Sequence, residues 1–281
     1  ASLADELNEP LAQVEYRSFP DGELLASAPG FEDERATIVA STVSSDAHLE
    51  LLQLQDAARE WGAGEIVTVL PYMGYARQDK PLAPGHAEEG PTPGYPISAR
   101  AVARAISTGT DRVLTVNPHE DAVCDFFDVP AEPVDAAGRL AEPLPDDLAD
   151  PVFLSPDEGA LDIAGTVRDA YGDGATDYFE KTRLSDTEVE MRPSDADVSG
   201  RDVVVTDDII ATGSTMSEAV SLLQERDVGR VFVTAVHPVL ASNARTKLAR
   251  AGVETVYGTD TVERAASAVS VAPAVADAIE S

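Results

Sequence analysis

Short apolar runs alternate with amphipathic stretches along most of the chain. Residues 37–41 read as a strand, and Asp46 stands as an N-cap for a helix carrying Leu49, Leu52 and Trp61. Residues 66–70 form a second apolar run, closed by Pro71. Ala101, Val102, Ala105 and Ile106 give 97–106 a helical stripe, and 113–116 is a third strand before Pro118. The rhythm then repeats. Residues 152–154 predict a strand ending at Ser155-Pro156-Asp157, 161–170 a helix, and 177–179 a short strand. Residues 184–191 alternate as a strand does. Residues 203–205 read as a central strand, 216–223 as a helix and 231–236 as a strand ending at His237-Pro238.

Continuous apolar strands between helices predict an α/β fold in which parallel-rich sheets are covered on both faces by helices. The pattern occurs twice, so two similar domains are expected. Pro130, Pro133, Pro143 and Pro145 cluster with acids at the break, which sets the domains at 1–137 and 138–281. The segment 81–96, rich in Pro and Gly, reads as a surface loop, and His86 within it as a solvated side chain.

Composition changes the picture in one respect. The 281 residues carry 51 Asp plus Glu against 20 Lys plus Arg, a net charge of −31. That charge opposes binding to nucleic acid or to an anionic membrane. The acids are spread along the chain. Lysine occurs only at 80, 181 and 247, the other cations being arginine. The pattern fits a protein adapted to concentrated salt, with mimicry of an acidic partner as the competing reading. The apolar runs are strand-length, no secretory leader is read, and the single cysteine, Cys124, suits a reducing cytoplasm.

In parallel α/β sheets, ligands bind beyond the carboxyl ends of the strands. The polar groups there are 71–80, 117–121, Asp157 and 207–215. The last is the most specific. In VVVTDDIIATGST (203–215), Gly213 admits close backbone approach to an anion, and Thr212, Ser214 and Thr215 add hydroxyls at a helix start. Asp207 and Asp208 suit vicinal hydroxyls or a nearby Mg²⁺. A sugar phosphate satisfies both halves; a helix cap flanked by solvated acids is the plainer alternative.

This stretch resembles the phosphoribosyl-diphosphate motif of type I phosphoribosyltransferases and of ribose-phosphate diphosphokinases. The rest of the chain resembles the diphosphokinases, in the right order. RSFPDGE (17–23) is similar to the segment that contacts ATP across a subunit interface, and YARQDK (75–80) to the second ATP segment. NPHE (117–120) resembles the metal-binding histidine site and LSPDEG (154–159) the metal-binding aspartate site. EKTR (180–183) resembles the catalytic flap, and VSVAPAVA (269–276) the C-terminal helix. EKTRLSDTEVEM is similar to archaeal members.

The resemblance implies two phosphoribosyltransferase-like domains, an N-terminal one for ATP and a C-terminal one for ribose 5-phosphate. The last helix, 268–281, is a candidate to pack on the N-terminal domain. It assigns catalysis to Lys181 and Arg183, and ATP contacts to Phe19, Asp21, Gly22, Glu23, Arg77, Gln78 and Asp79. Ribose 5-phosphate falls to Arg183, Asp207, Asp208, Ala211, Thr212, Gly213, Ser214 and Thr215, and Mg²⁺ to His119 and Asp157. A homo-oligomer built from dimers is implied.

Plainer readings stand beside each assignment. Alternation of Phe19, Asp21 and Glu23 on an extended segment would place them on one side, but Pro20-Asp21-Gly22 also reads as an exposed turn. Residues 77–80 could be a solvated charge run, His119 a helix-start residue, Asp157 a cap, and Lys181 and Arg183 a salt-bridged flap. The opening ASLADELNEP reads as the family's first helix, without the strand and turn expected ahead of it. Ala211 stands where many members have Asp or Ser, Tyr95 replaces a commonly acidic position, and the loop at 81–93 looks longer than usual.

The charge pattern makes one prediction directly. Folding and activity should require concentrated salt, and dialysis into dilute buffer should lower both; full activity there would contradict the adaptation.

Overall fold

The computed structural model describes residues 1–81, 93–183, 189–193 and 197–281, with the side chains of 180–196 set aside. His86, most of the loop at 81–96, and residues 184–188 therefore lie outside the described residues. The chain divides into two compact units, Ala1–Asp135 with Ala272–Ser281, and Ala136–Val271.

The first unit opens with α1 (Ser2–Glu6) and an antiparallel hairpin of β1 (Glu15–Ser18) and β2 (Leu24–Ser27). Then come β3 (Arg35–Val39), α2 (Ser45–Glu60), β4 (Glu65–Leu70), α3 (Ser98–Ser107), β5 (Arg112–Val116) and β6 (Ala131–Val134). The four strands β3-β4-β5-β6 pair in that order, all parallel. The cap of α2 is Ser44, whose Oγ accepts from the Ala47 amide at 3.2 Å. Asp46, expected as the cap, instead lies in the first turn, where its charge complements the helix dipole. Strand β6 is a second departure, because it runs through the Pro-rich break. Pro133 sits opposite Thr115 on the edge of the sheet, where one side of the strand needs no donor. Leu51, Leu70, Ile106 and Val113 form the core on one face.

The second unit contains β7 (Val152–Ser155), α4 (Leu161–Tyr171), β8 (Ala175–Arg183), β9 (Val189–Pro193), β10 (Val203–Ile209), α5 (Ser214–Gln224), β11 (Val231–His237), α6 (Ala244–Ala251), β12 (Thr255–Thr259) and β13 (Ser267–Val269). Its strands pair as β13-β12-β11-β10-β7-β8-β9. All pairs are parallel except β8 with β9. Val203, Val205 and Val233 face a core shared with Met216, Val220 and Leu248, while Phe153, Val204 and Phe232 are buried on the opposite face. Burial on both faces explains why these strands are apolar without alternation. After β13, α7 (Ala272–Glu280) belongs to the first unit, where Arg112 Nη2 donates to the Ala278 carbonyl at 3.0 Å.

One polar device ties the second unit together. Asp202 is only 4% exposed. It accepts from the Ala149 and Arg230 amides, both at 2.8 Å, and from Arg230 Nε and Nη2 at 3.0 and 2.6 Å. Burial raises its carboxyl, but the Arg230 guanidinium and the two amides outweigh burial and hold it below the usual carboxylate range. A depressed folded-state value means stability that is present above the ordinary aspartate range and lost as pH falls through the folded value. Asp202→Asn should therefore cost about 2 kcal/mol, read as a lower denaturant midpoint in concentrated salt. It should also flatten the acid limb of stability, and an unchanged midpoint and acid limb would contradict this account.

Candidate active site

Strand β10 lies between β7 and β11. From β7 the chain moves outward to β8, and from β10 it moves the other way to β11. The order of strands thus reverses between β7 and β10, which opens a crevice at their carboxyl ends. Leu154 pairs with Val205. Asp157 and Asp207 therefore lie just past the paired ends of neighbouring strands.

Asp207 is the electrostatic centre of this crevice. The residue is half-buried, and its carboxyl feels the charges of Asp208 and Asp157. Burial pushes that carboxyl well above the usual range. The Asp208 charge and side-chain hydrogen bond add to the rise, as does the Asp157 charge, against a small opposing pull from the Asp208 amide. Asp207 Oδ1 accepts from that amide at 3.0 Å, and Asp208 Oδ1 from the Ile209 amide at 2.7 Å. Acidic groups crowded in this way are poised for donors or a cation.

The turn after the acids is held by the loop that follows β11. The Leu240 amide donates to the Ile210 carbonyl and the Ala241 amide to the Ala211 carbonyl, both at 2.8 Å. Gly213 then starts α5 with φ +69°, and a Cβ there would stand 3.2 Å from Ala244 Cβ. Both the backbone angle and the close approach of α6 call for glycine. Thr212, Ser214 and Thr215 are exposed around the helix start, beside backbone amides that have no carbonyl partner within α5. Thr212 Oγ1 lies 3.4 Å from Ser214 Oγ, and Lys247 Nζ donates to Ser214 Oγ at 2.8 Å. That lysine was not singled out from the sequence as a site residue, although its type is rare in this chain. The arrangement can receive a phosphate on one side and hydroxyls on the other.

The first unit carries the other candidates. Gly74 presses against residue 42: a Cβ there would stand 2.1 Å from the Thr42 carbonyl oxygen. The Gly74 amide donates to Thr42 Oγ1 at 2.9 Å. Tyr75 follows at φ +67°, and its carbonyl accepts from the Gln78 amide at 2.8 Å. This tight turn leaves Arg77 and Gln78 exposed, with Asp79 half-buried 3.6 Å from Lys80 Nζ.

Residues 19–23 form the hairpin loop between β1 and β2, not an extended segment. The Phe19 amide donates to the Glu23 carbonyl at 2.8 Å, and Gly22 turns at φ +94°. Phe19, Asp21 and Glu23 therefore do not share one side by strand alternation; the Pro-Asp-Gly turn prevails. The Arg17 guanidinium sits 5.0 Å over the Phe19 ring.

His119 is exposed just after β5, where Asn117 turns at φ +34° and donates to Asp135 Oδ1 at 2.8 Å. His119 belongs to the first unit and Asp157 to the second. Among the described residues, no group of three or more His, Cys, Asp or Glu is arranged to hold a metal. Magnesium keeps several waters and substrate oxygens, so a site with few protein ligands fits it. The crowded acids at Asp207, Asp208 and Asp157 suit such a hard cation nearby. Lys181 and Arg183 lie on β8, paired with Met191 and Val189 of β9, and their side chains lie outside the described set. Cys124 offers no nucleophile: burial, then Asp121, Asp125 and Glu132, pushes its thiol up to about 11.

Comparison with known proteins matches both units. A model of the N-terminal domain of ribose phosphate pyrophosphokinase matches residues 1–109, and a phosphoribosyl transferase domain model matches 132–272. A ribose-phosphate pyrophosphokinase of Halobacterium salinarum is 65% identical over 280 residues, covering 99% of this chain and 96% of that one. The chain belongs to the ribose-phosphate pyrophosphokinase family. A family member from Methanopyrus kandleri is 42% identical, over 99% of this chain and 94% of its own. The crystal structure of phosphoribosylpyrophosphate synthetase from Mycobacterium smegmatis superposes with a TM-score of 0.81 at 30% identity, over 99% of this chain and 93% of that one. The match to a Halobacterium protein agrees with the acidic, lysine-poor composition. No described helix is long and apolar enough to cross a membrane.

Proposed function

We propose that the chain transfers the diphosphoryl group of Mg-ATP to ribose 5-phosphate, giving 5-phospho-α-D-ribose 1-diphosphate and AMP. The observation that supports this most is the two-sided end of β10, where two half-buried acids precede a hydroxyl-lined helix start by a few residues. A ligand made only of phosphate would be repelled by the acids. A neutral sugar would leave the helix start without an anion. Ribose 5-phosphate answers both.

The 1-hydroxyl oxygen attacks the β-phosphorus of ATP. The bond from that phosphorus to the α,β-bridging oxygen breaks, AMP leaves, and the hydroxyl proton passes to solvent. Asp207 and Asp208 accept hydrogen bonds from the ribose hydroxyls and orient the sugar. Residues 211–215 hold the 5-phosphate through helix-start amides and hydroxyls. Arg77, Gln78 and Asp79 receive ATP. Phe19, Asp21, Gly22 and Glu23, on an exposed hairpin loop, serve the ATP of a neighbouring copy in a homo-oligomer built from dimers. His119 and Asp157 would help place Mg²⁺, which would supply charge neutralisation on the triphosphate. Lys181 and Arg183 close over the transferring group, with Arg183 also contacting ribose 5-phosphate. Chemistry of this kind depends on alignment and charge neutralisation more than on covalent help.

The test is direct. Protein, Mg²⁺, ATP and ribose 5-phosphate are mixed in concentrated salt, and AMP is expected in step with the diphosphate product. Lys181→Ala should lower turnover by about 10²–10³ with the fold retained. Absence of AMP, with conversion when the diphosphate product and a nucleobase are supplied instead, would point to a phosphoribosyltransferase. Near-normal turnover of Lys181→Ala would remove that lysine from the chemistry.

A further inference from the structure

We propose that Lys247 is a positioning residue for the 5-phosphate of the sugar substrate, acting through Ser214; this rests on the reading of 211–215 as the phosphate-holding turn.

The placement follows from the packing of α6 on the turn. Gly213 has no side chain, so Ala244, the first residue of α6, comes into contact with it. Lys247 stands three residues after Ala244, on the same face of the helix. Its stem therefore rises beside the start of α5, and Nζ reaches Ser214 Oγ at 2.8 Å. Any residue larger than glycine at 213 would push α6 away and break this reach.

The direction of the hydrogen bond matters. An ammonium can only donate, so Ser214 Oγ accepts from it. The serine keeps its own proton as a donor, aimed away from the lysine. Thr212 Oγ1 lies 3.4 Å from the same oxygen, on the other edge of the turn. The lysine thus makes Ser214 a donor for an incoming anion and adds a positive charge to the positive end of α5.

The pairing is unusual for this chain. With 51 acidic residues available, a cation has carboxylates on most sides. Lys247 nevertheless makes no ion pair among the described residues, and its ammonium rests on a hydroxyl. Glu218 lines the same groove between α5 and α6 without capturing it. Each of the three lysines of the sequence stands in or beside a segment that the functional reading uses. Lys80 ends one implied ATP segment, Lys181 lies in the flap, and Lys247 touches the phosphate turn.

Steady-state kinetics in concentrated salt test this with Lys247→Met, Lys247→Arg, Ser214→Ala and the Ser214→Ala/Lys247→Met double variant. Lys247→Met should raise KM for ribose 5-phosphate about ten-fold while KM for ATP holds. Lys247→Arg should recover most of the loss, which a purely structural role would not produce. The double variant should lose much less than the product of the single losses, because the two residues act as one unit. An unchanged KM for ribose 5-phosphate in Lys247→Met, or losses that multiply fully, would overturn the proposal. Lys247→Gln serves in place of Lys247→Met should the latter show a lowered denaturant midpoint. Wild-type protein that forms no AMP would overturn the functional reading itself, a result distinct from an active wild type insensitive to position 247.

Discussion

Carboxylates are crowded together where β7 and β10 end side by side. Two parallel strands whose onward connections diverge leave their carboxyl ends uncovered, and Asp157 and Asp207 fall there because Leu154 pairs with Val205. Burial pushes the Asp207 carboxyl well above its ordinary range, and the neighbouring Asp208 and Asp157 charges add to the rise. Strands apolar on both faces lead up to these acids, and the Asp202–Arg230 network lies at the other end of β10. The crowding is relieved by groups that donate protons or positive charge, and the helix start a few residues later attracts the opposite kind of ligand. One strand end therefore offers an acidic surface and an anion-attracting helix start within a few residues of each other.

Salt decides which of the other charges matter. In about 1 M salt the screening length is about 3 Å, so separated charges hardly act on each other. Contacts at hydrogen-bond distance survive. Three basic side chains show such contacts: Arg59 to Asp111 at 2.7 Å, Arg230 to Asp202 at 2.6 Å and Lys247 to Ser214 at 2.8 Å. A net charge of −31 then becomes a hydrated surface, while local geometry carries binding.

Much of this was legible in the sequence, for physical reasons. Strands buried on both faces, such as Val152–Ser155 and Val203–Ile209, are continuous apolar runs and announce themselves. The turn at 211–215 was legible because glycine among hydroxyl residues after paired acids has few uses. Edge elements were not. Strand β6 hides behind Pro133, which only an edge tolerates, and β12, one strand in from the edge, behind Gly258, where a Cβ would stand 2.5 Å from Pro238 Cγ. At 19–23 alternation and turn chemistry compete in the sequence, and in the structure the exposed Pro-Asp-Gly turn wins. The sequence shows Lys247 only as one of three lysines, because its place beside Ser214 depends on α6 packing against Gly213, a contact between segments about thirty residues apart.

The central claim is that the acids read the sugar while the turn reads the phosphate. Calorimetric titration in concentrated salt with ribose 5-phosphate and with its 2-deoxy analogue tests it most directly. Both ligands carry the same phosphate, but only the first has vicinal hydroxyls for Asp207 and Asp208. The account predicts that the deoxy analogue binds about ten-fold more weakly. Equal affinities would contradict it.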